Sequence, residues 1–207
     1  MGAEQTLVTD VLVIGCGIAG ASAALEAAKT GLRVTVITTN ALAEESNTLY
    51  AQGGIVSMGE GDEPELLEDD IIKAGDGLND PRAVGVLARE CKPLVERILI
   101  GELKIPFSRG PESLDFAQEG GHSRRRILHV EDTTGRTIEE RFIAALKRLP
   151  NVALLPGQTA VDLLTVPHHS KNPIAYYREP RCIGAYVLDN GAGRVKKVLA
   201  LTTVLAS

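Results

Sequence analysis

Three groups of residues in this 207-residue chain have types and spacing suited to chemistry. The first is Gly15-Cys16-Gly17-Ile18-Ala19-Gly20, a G-x-G-x-x-G pattern between an apolar run and a helix-favouring stretch. In that setting the first glycine permits a tight turn, the second lets a pyrophosphate approach the backbone, and the third lets the helix pack on the strand. The phosphates then lie at the helix N-terminus. A purely structural turn can carry the same glycines, but the position between strand and helix points to dinucleotide binding. Cys16 reads as a small filler. The fingerprint also expects an acid at the end of the second strand to hold ribose hydroxyls. That strand ends Ile37-Thr38-Thr39-Asn40, and Glu44 and Glu45 follow several residues later. Thr39 is therefore the expected polar contact near the ribose, and the missing acid weakens an NAD-dependent reading.

The second group is Glu45-Ser46-Asn47-Thr48-Leu49-Tyr50-Ala51-Gln52-Gly53-Gly54. Adjacent glycines after short polar side chains let backbone N–H groups approach a ring or a phosphate; a plain surface loop is the simpler alternative. The third is Glu119-Gly120-Gly121-His122-Ser123-Arg124-Arg125-Arg126-Ile127-Leu128-His129, followed by Asp132-Thr133-Thr134-Gly135-Arg136. A Gly-Gly turn flanked by an acid, two histidines and three arginines could form a cationic pocket for a dicarboxylate. A solvated basic face with one buried histidine is the alternative.

Together these segments carry a resemblance. The run S-N-T-x-Y-A-Q-G-G after a G-x-G-x-x-G unit resembles the flavin-binding segment of the superfamily that holds succinate dehydrogenases, fumarate reductases and L-aspartate oxidases. The stretch E-G-G-H-S-x-x-R-I-L-H-x-x-D-x-T-G-R is similar to the L-aspartate oxidase signature. The resemblance implies FAD as cofactor, with contacts from Gly15, Cys16, Gly17, Ile18, Ala19, Gly20, Thr39, Asn47, Thr48, Leu49, Tyr50, Ala51, Gln52, Gly53, Gly54 and Val161. Respiratory members carry a histidine before the threonine matching Thr48, and it bonds covalently to the flavin. Asn47 stands there instead, which implies non-covalent FAD.

The same resemblance implies oxidation of L-aspartate to iminoaspartate, with hydride leaving Cα for the flavin and O2 or fumarate taking the electrons. This is the first step toward quinolinate and NAD, and it names quinolinate synthase as a partner. Glu119 is implied to be catalytic, facing the substrate ammonium, with His122 and Arg125 binding substrate and no metal site. Two rival readings stay open: a soluble fumarate reductase or succinate dehydrogenase flavoprotein subunit, and a non-catalytic FAD-binding module. The chain corresponds to the N-terminal part of the FAD-binding domain. Capping and C-terminal helical domains, with a catalytic Arg and substrate-binding His residues, are expected beyond Ser207, so oxidase turnover is not expected of these 207 residues alone.

The elements that must position these groups form an α/β pattern. Residues 8–14 read as a doubly buried strand, 20–29 as a helix and 33–37 as a second strand, a βαβ unit over 8–37. A loop spans 38–62. A helical insert over 63–101 begins with Leu67, Ile71 and Ala74 inward. Its next helix starts at Asp80-Pro81 with Val84, Leu87 and Cys91 inward. Pro93 should break it, starting another with Leu94, Val95, Ile98 and Leu99 inward. The site segment covers 115–136, a helix 136–148, and a β-rich segment 152–207, with strands at 152–155, 159–166, 182–188, 195–199 and 202–205. The expected fold is a Rossmann-like FAD-binding domain, a parallel sheet with a small antiparallel β segment.

Composition agrees. There are 22 Lys+Arg against 27 Asp+Glu, a net charge of −5, and 44% of residues are hydrophobic, which excludes a disordered chain. No 18-residue apolar run is present for a membrane span. Seven aromatics (3 Phe, 4 Tyr, no Trp) and an acidic balance exclude nucleic acid as partner. Glycine, 21 residues, exceeds the usual ~7%. Three widely spaced cysteines fit a cytoplasmic setting. The N-terminus formally matches a myristoylation pattern, but a strand follows at once.

Overall fold

The computed structural model describes residues 6–111, 113–168 and 170–207, without the side chains of 175 and 176. The N-terminal pattern just mentioned lies almost wholly outside them. The chain forms two compact units, Met1–Leu49 with Phe142–Ser207, and Tyr50–Arg141.

The first unit is a six-stranded sheet. Its strands are β1 (Thr6–Ile14), β2 (Val34–Thr38), β6 (Val152–Pro156), β7 (Gln158–Val166), β8 (Arg181–Asp189) and β9 (Arg194–Leu205), in the order β6-β2-β1-β9-β8-β7. The first four in that order are parallel, and β8 and β7 complete the sheet antiparallel. Strand β1 sits between β2 and β9, and Leu12 and Val13 are wholly buried. This explains the near-continuous apolar run. The one charge inside it, Asp10, accepts from the N–H, Nε and Nη2 of Arg33. Helix α1 (Ile18–Lys29) buries Ala21, Ala24, Leu25 and Ala28; small side chains suit a helix laid closely on a sheet. Two strands expected at 195–199 and 202–205 are one, because β9 pairs with β1 along Lys197–Leu205 and with β8 along Arg194–Leu199.

The second unit begins with β3 (Ile55–Val56), inside the span expected to be all loop. Helices α2 (Pro64–Gly75) and α3 (Pro81–Leu94) follow, then β4 (Phe116–Ala117) and β5 (Ile127–Leu128). The three strands form a small antiparallel sheet, order β3-β5-β4. Helix α3 starts as expected: Asp80 Oδ1 accepts from the N–H of Arg82 at 2.9 Å, with Pro81 in the first turn. Pro93 does not break it. The proline lies in its last turn, where Val95 N–H still reaches Cys91 O, and the chain continues as a π-helix over Val95–Glu102. Val95, Ile98 and Leu99 are buried, but Leu94 and Leu87 point outward; the buried face of α3 runs through Val84, Gly85 and Ala88. Ala74 is also exposed. Met58, Leu67 and Ala88 form a local core, with Ile71 and Cys91 packed against it. Helix α4 (Thr134–Lys147) begins in this unit and ends in the first. Among the described residues, no helix is long and apolar enough to cross a membrane.

Candidate functional site

A cavity of about 360 Å³ opens in the first unit at the carboxyl ends of β1 and β2, where parallel α/β sheets bind nucleotides. Ile14 and Ile37 to Asn40 form its floor, residues 15–19 one wall, and residues 45–48 another. Gln158, Ala160, Ala206 and Ser207 complete it.

Each glycine of the first motif has its own reason. Gly15 turns with φ +104°, and a Cβ there would strike the carbonyl oxygen of Ala206. Gly20 packs so closely that a Cβ would strike the Gly15 carbonyl and sit 3.3 Å from Val13 Cγ1. Gly17 meets no backbone; a Cβ there would face Thr48 Oγ1 at 3.2 Å, toward the cavity. The N-cap of α1, Gly17, offers no side-chain cap. Instead Thr48 Oγ1 accepts from the Ile18 N–H at 3.1 Å. No acid stands in the first turn of α1, leaving the helix N-terminus electropositive. Ser46 Oγ is buried with no hydrogen-bond partner beside it. A cradle of this shape, with a capping hydroxyl and an unsatisfied one, fits the diphosphate of a dinucleotide.

Thr39 lies on the rim. Asn190 Nδ2 donates to its carbonyl at 3.0 Å, and Thr159 Oγ1, 3.5 Å from the Thr39 hydroxyl, bonds Asn190 Oδ1 at 3.0 Å. Glu45, dismissed by sequence spacing, also lines the cavity, because the Asn40 side chain donates to the Glu45 carbonyl and folds the loop back. Glu44 pairs with Lys147, which holds its carboxyl below the usual range. Val161 is 58% exposed and outside the lining, while Gln158 and Ala160 are in it. Ser46, Gln158 and Asn190 were not singled out by sequence. Ser46 lay inside a recognised motif without being assigned a contact, and Gln158 and Asn190 read only as parts of a strand start and a turn.

From Tyr50 onward the residues of the second and third motifs lie in the second unit. Gly54 sits against β5, where a Cβ would be 2.5 Å from the Leu128 carbonyl. Ala51 O accepts from the Gly135 N–H at 2.9 Å, so the T-G-R end of the third motif anchors the A-Q-G-G segment. The Glu119 carboxylate lies over Gly53, where a Cβ would come within 2.6 Å of Oε1. Glu119 begins a turn closed by His122 N–H to Glu119 O at 3.2 Å, with Gly121 at φ +85°. That conformation suits the third position of a type II turn.

The three arginines separate. Arg125 is exposed, its Nε donating to the Phe116 carbonyl at 2.6 Å and its Nη2 3.5 Å from Asp115. Arg126 is wholly buried: Nε and Nη2 each donate to Asp62 at 2.8 Å, Nη1 to Asp70 at 2.6 Å, and Nη1 lies 3.5 Å from His122 Nδ1. Burial opposes its charge, but the two carboxylates hold it protonated above the ordinary arginine range. Of the two readings of this segment, a cationic pocket and a solvated basic face, neither places Arg126, which is already neutralised inside the protein. His129 Nε2 stands 3.6 Å from Asp115.

The sequence profile of the FAD binding domain family matches residues 10–207. The chain belongs to that family. An L-aspartate oxidase of Halobacterium salinarum is 45% identical over 76% of the chain and 30% of its own length. One from Yersinia pestis is 35% identical over the whole chain and 38% of its length. The FAD binding domain chain thus spans about a third of these curated relatives. The solved Mycobacterium smegmatis Sdh1 complex in the apo form superposes with a TM-score of 0.85 over 98% of the chain and 34% of its own, at 24% identity, and so shares the fold.

Proposed function

We propose that this chain forms the FAD-binding part of an L-aspartate oxidase. The single observation that carries the cofactor assignment is the glycine cradle beneath the α1 N-terminus, with Thr48 as its cap. When bound, FAD supplies the capacity to accept two electrons from the substrate. The N–H groups of Gly17 and Ala19, on the cavity wall, would hold phosphate oxygens. Thr48 Oγ1 accepts from Ile18 and keeps its own proton to donate to the ligand. Thr39 and the Asn190-fixed rim hold the ribose end. Asn47 forms no covalent bond to the flavin.

Glu119 gives the protein its preference for aspartate, since a carboxylate facing the ammonium separates aspartate from succinate. His122 and Arg125 are proposed as its substrate-binding neighbours. The electron acceptor is O2 or fumarate, the product passes to quinolinate synthase, and the setting is cytoplasmic, in keeping with three cysteines that form no disulfide.

Titrating the purified chain with FAD tests the first step: flavin fluorescence should be quenched on binding, and acid precipitation should release the flavin. Flavin that stays on the precipitate would favour a succinate dehydrogenase or fumarate reductase subunit, and failure to bind FAD at all would remove the cofactor assignment. An L-aspartate oxidase whose matching third is replaced by this chain should oxidise L-aspartate. Succinate oxidation in its place would overturn the substrate assignment.

A further inference from the structure

Arg126 has more acid around it than its charge requires. Asp62 alone binds it bidentately through Nε and Nη2, with both side chains at most 1% exposed. One carboxylate neutralises one guanidinium, and a second adds a charge that burial penalises. Asp70 is nevertheless there, on α2, and its other contacts all go to one place: Oδ2 accepts the Ser123 N–H at 2.7 Å and the Ser123 hydroxyl at 2.9 Å, beside Arg126 Nη1. Burial works against the Asp70 charge, yet these three donors hold its carboxyl below the ordinary range. Ser123 immediately follows the turn that begins at Glu119, and the turn is also closed on itself by Gln118 Nε2 to the His122 carbonyl at 2.8 Å. Arg126 N–H donates to Ala117 O and Arg126 O accepts from Ser57 N–H. The same residue therefore ties the turn's base to β4 and to the residue that follows β3.

We propose that Asp70 is a positioning residue: through Ser123 and Arg126 it clamps the turn at 119–123 to α2 and so holds the Glu119 carboxylate over Gly53. The importance for turnover rests on the reading of Glu119 as the group that meets substrate; the clamp itself does not. Asp62 keeps Arg126 neutral whether or not Asp70 is present, so loss of Asp70 releases the turn and spares the buried arginine.

Amide hydrogen exchange on the full 207-residue chain tests this, comparing wild type with D70N, S123A and E119Q. D70N, whose amide oxygen can still accept from Ser123 but without the charge that strengthens those bonds and holds Arg126 Nη1, should accelerate exchange at residues 120–123 about tenfold, while amides of α3 and β5 keep their rates. S123A, which removes one hydroxyl and no charge, should give a smaller acceleration at the same residues. E119Q should leave exchange unchanged. Acceleration spread evenly over α2, α3 and the small sheet would show a merely structural ion pair and overturn the proposal, as would unchanged rates at 120–123 in both D70N and S123A. In the chimeric oxidase, E119Q alone tests the role of Glu119. Full activity of E119Q beside a loosened turn in D70N would sink the substrate assignment and leave the clamp standing.

Discussion

At the scale of single residues, two glycines separate steric need from conformational need. A Cβ at Gly20 strikes the backbone carbonyl of Gly15, which cannot swing aside. Gly20→Ala should therefore cost about 1–3 kcal/mol and weaken FAD binding, because the turn it displaces is the cradle. Gly31, at φ +83° with nothing within 4 Å, carries only a backbone demand. Gly31→Ala should cost about 1–2 kcal/mol and leave FAD affinity intact. Urea unfolding with a parallel FAD titration measures both. Thr48→Val keeps the shape but removes the acceptor for Ile18 N–H, and should lower FAD affinity about tenfold, with Thr48→Ser restoring most of it. The glycines and Thr48 were legible in the sequence because each occupies a motif whose spacing is dictated by backbone geometry. Arg126 was not. Its neighbours Arg124 and Arg125 have the same composition, and its partners Asp62 and Asp70 lie far back in the chain, so only folding distinguishes the buried cation.

At the scale of elements, local chemistry foretold starts better than ends. Asp80-Pro81 announces the first turn of α3, and the cap is present at 2.9 Å. Asp80→Ala should cost about 1 kcal/mol, read as a lowered thermal midpoint, whereas Asp80→Ser should be nearly neutral. Pro93, by contrast, was expected to stop a helix it merely precedes the end of. A proline removes one N–H, and where Val95, two residues on, makes its own bond to Cys91, the helix persists and widens into the π-turn that buries Val95, Ile98 and Leu99. Helix faces were misjudged at Leu87 and Leu94 for a related reason: apolar spacing marks a stripe, but which edge of that stripe is covered depends on the packing of α2 against α3. The short strands β3, β4 and β5, two residues each, are below the length at which alternation can be read.

At the scale of the whole molecule, the two units hold their charges differently, and acid should tell them apart. In the first unit the pairs that lower carboxyl pKa values are surface pairs, Asp10 with Arg33 and Glu44 with Lys147, where solvent screens the gain. In the second, Asp70 serves a wholly buried Arg126. A carboxyl held below its unfolded value contributes stability that is fully present above the unfolded pKa, about 3.9 for aspartate. That contribution is lost as pH falls through the folded value. Arg126, raised above the ordinary arginine range, stays charged throughout this window and adds no slope of its own. Protonating Asp70 removes the charge that strengthens its bonds from Ser123 and from the buried Arg126 guanidinium. The second unit should therefore loosen first as the pH is lowered below about 4. Amide exchange at residues 120–128 should rise while exchange in β1 and β2 stays slow. D70N, which has no proton to gain at that position, should flatten the pH dependence at 120–123. A simultaneous loss of protection in both units, or an unchanged slope in D70N, would contradict the assignment of acid sensitivity to this buried pair.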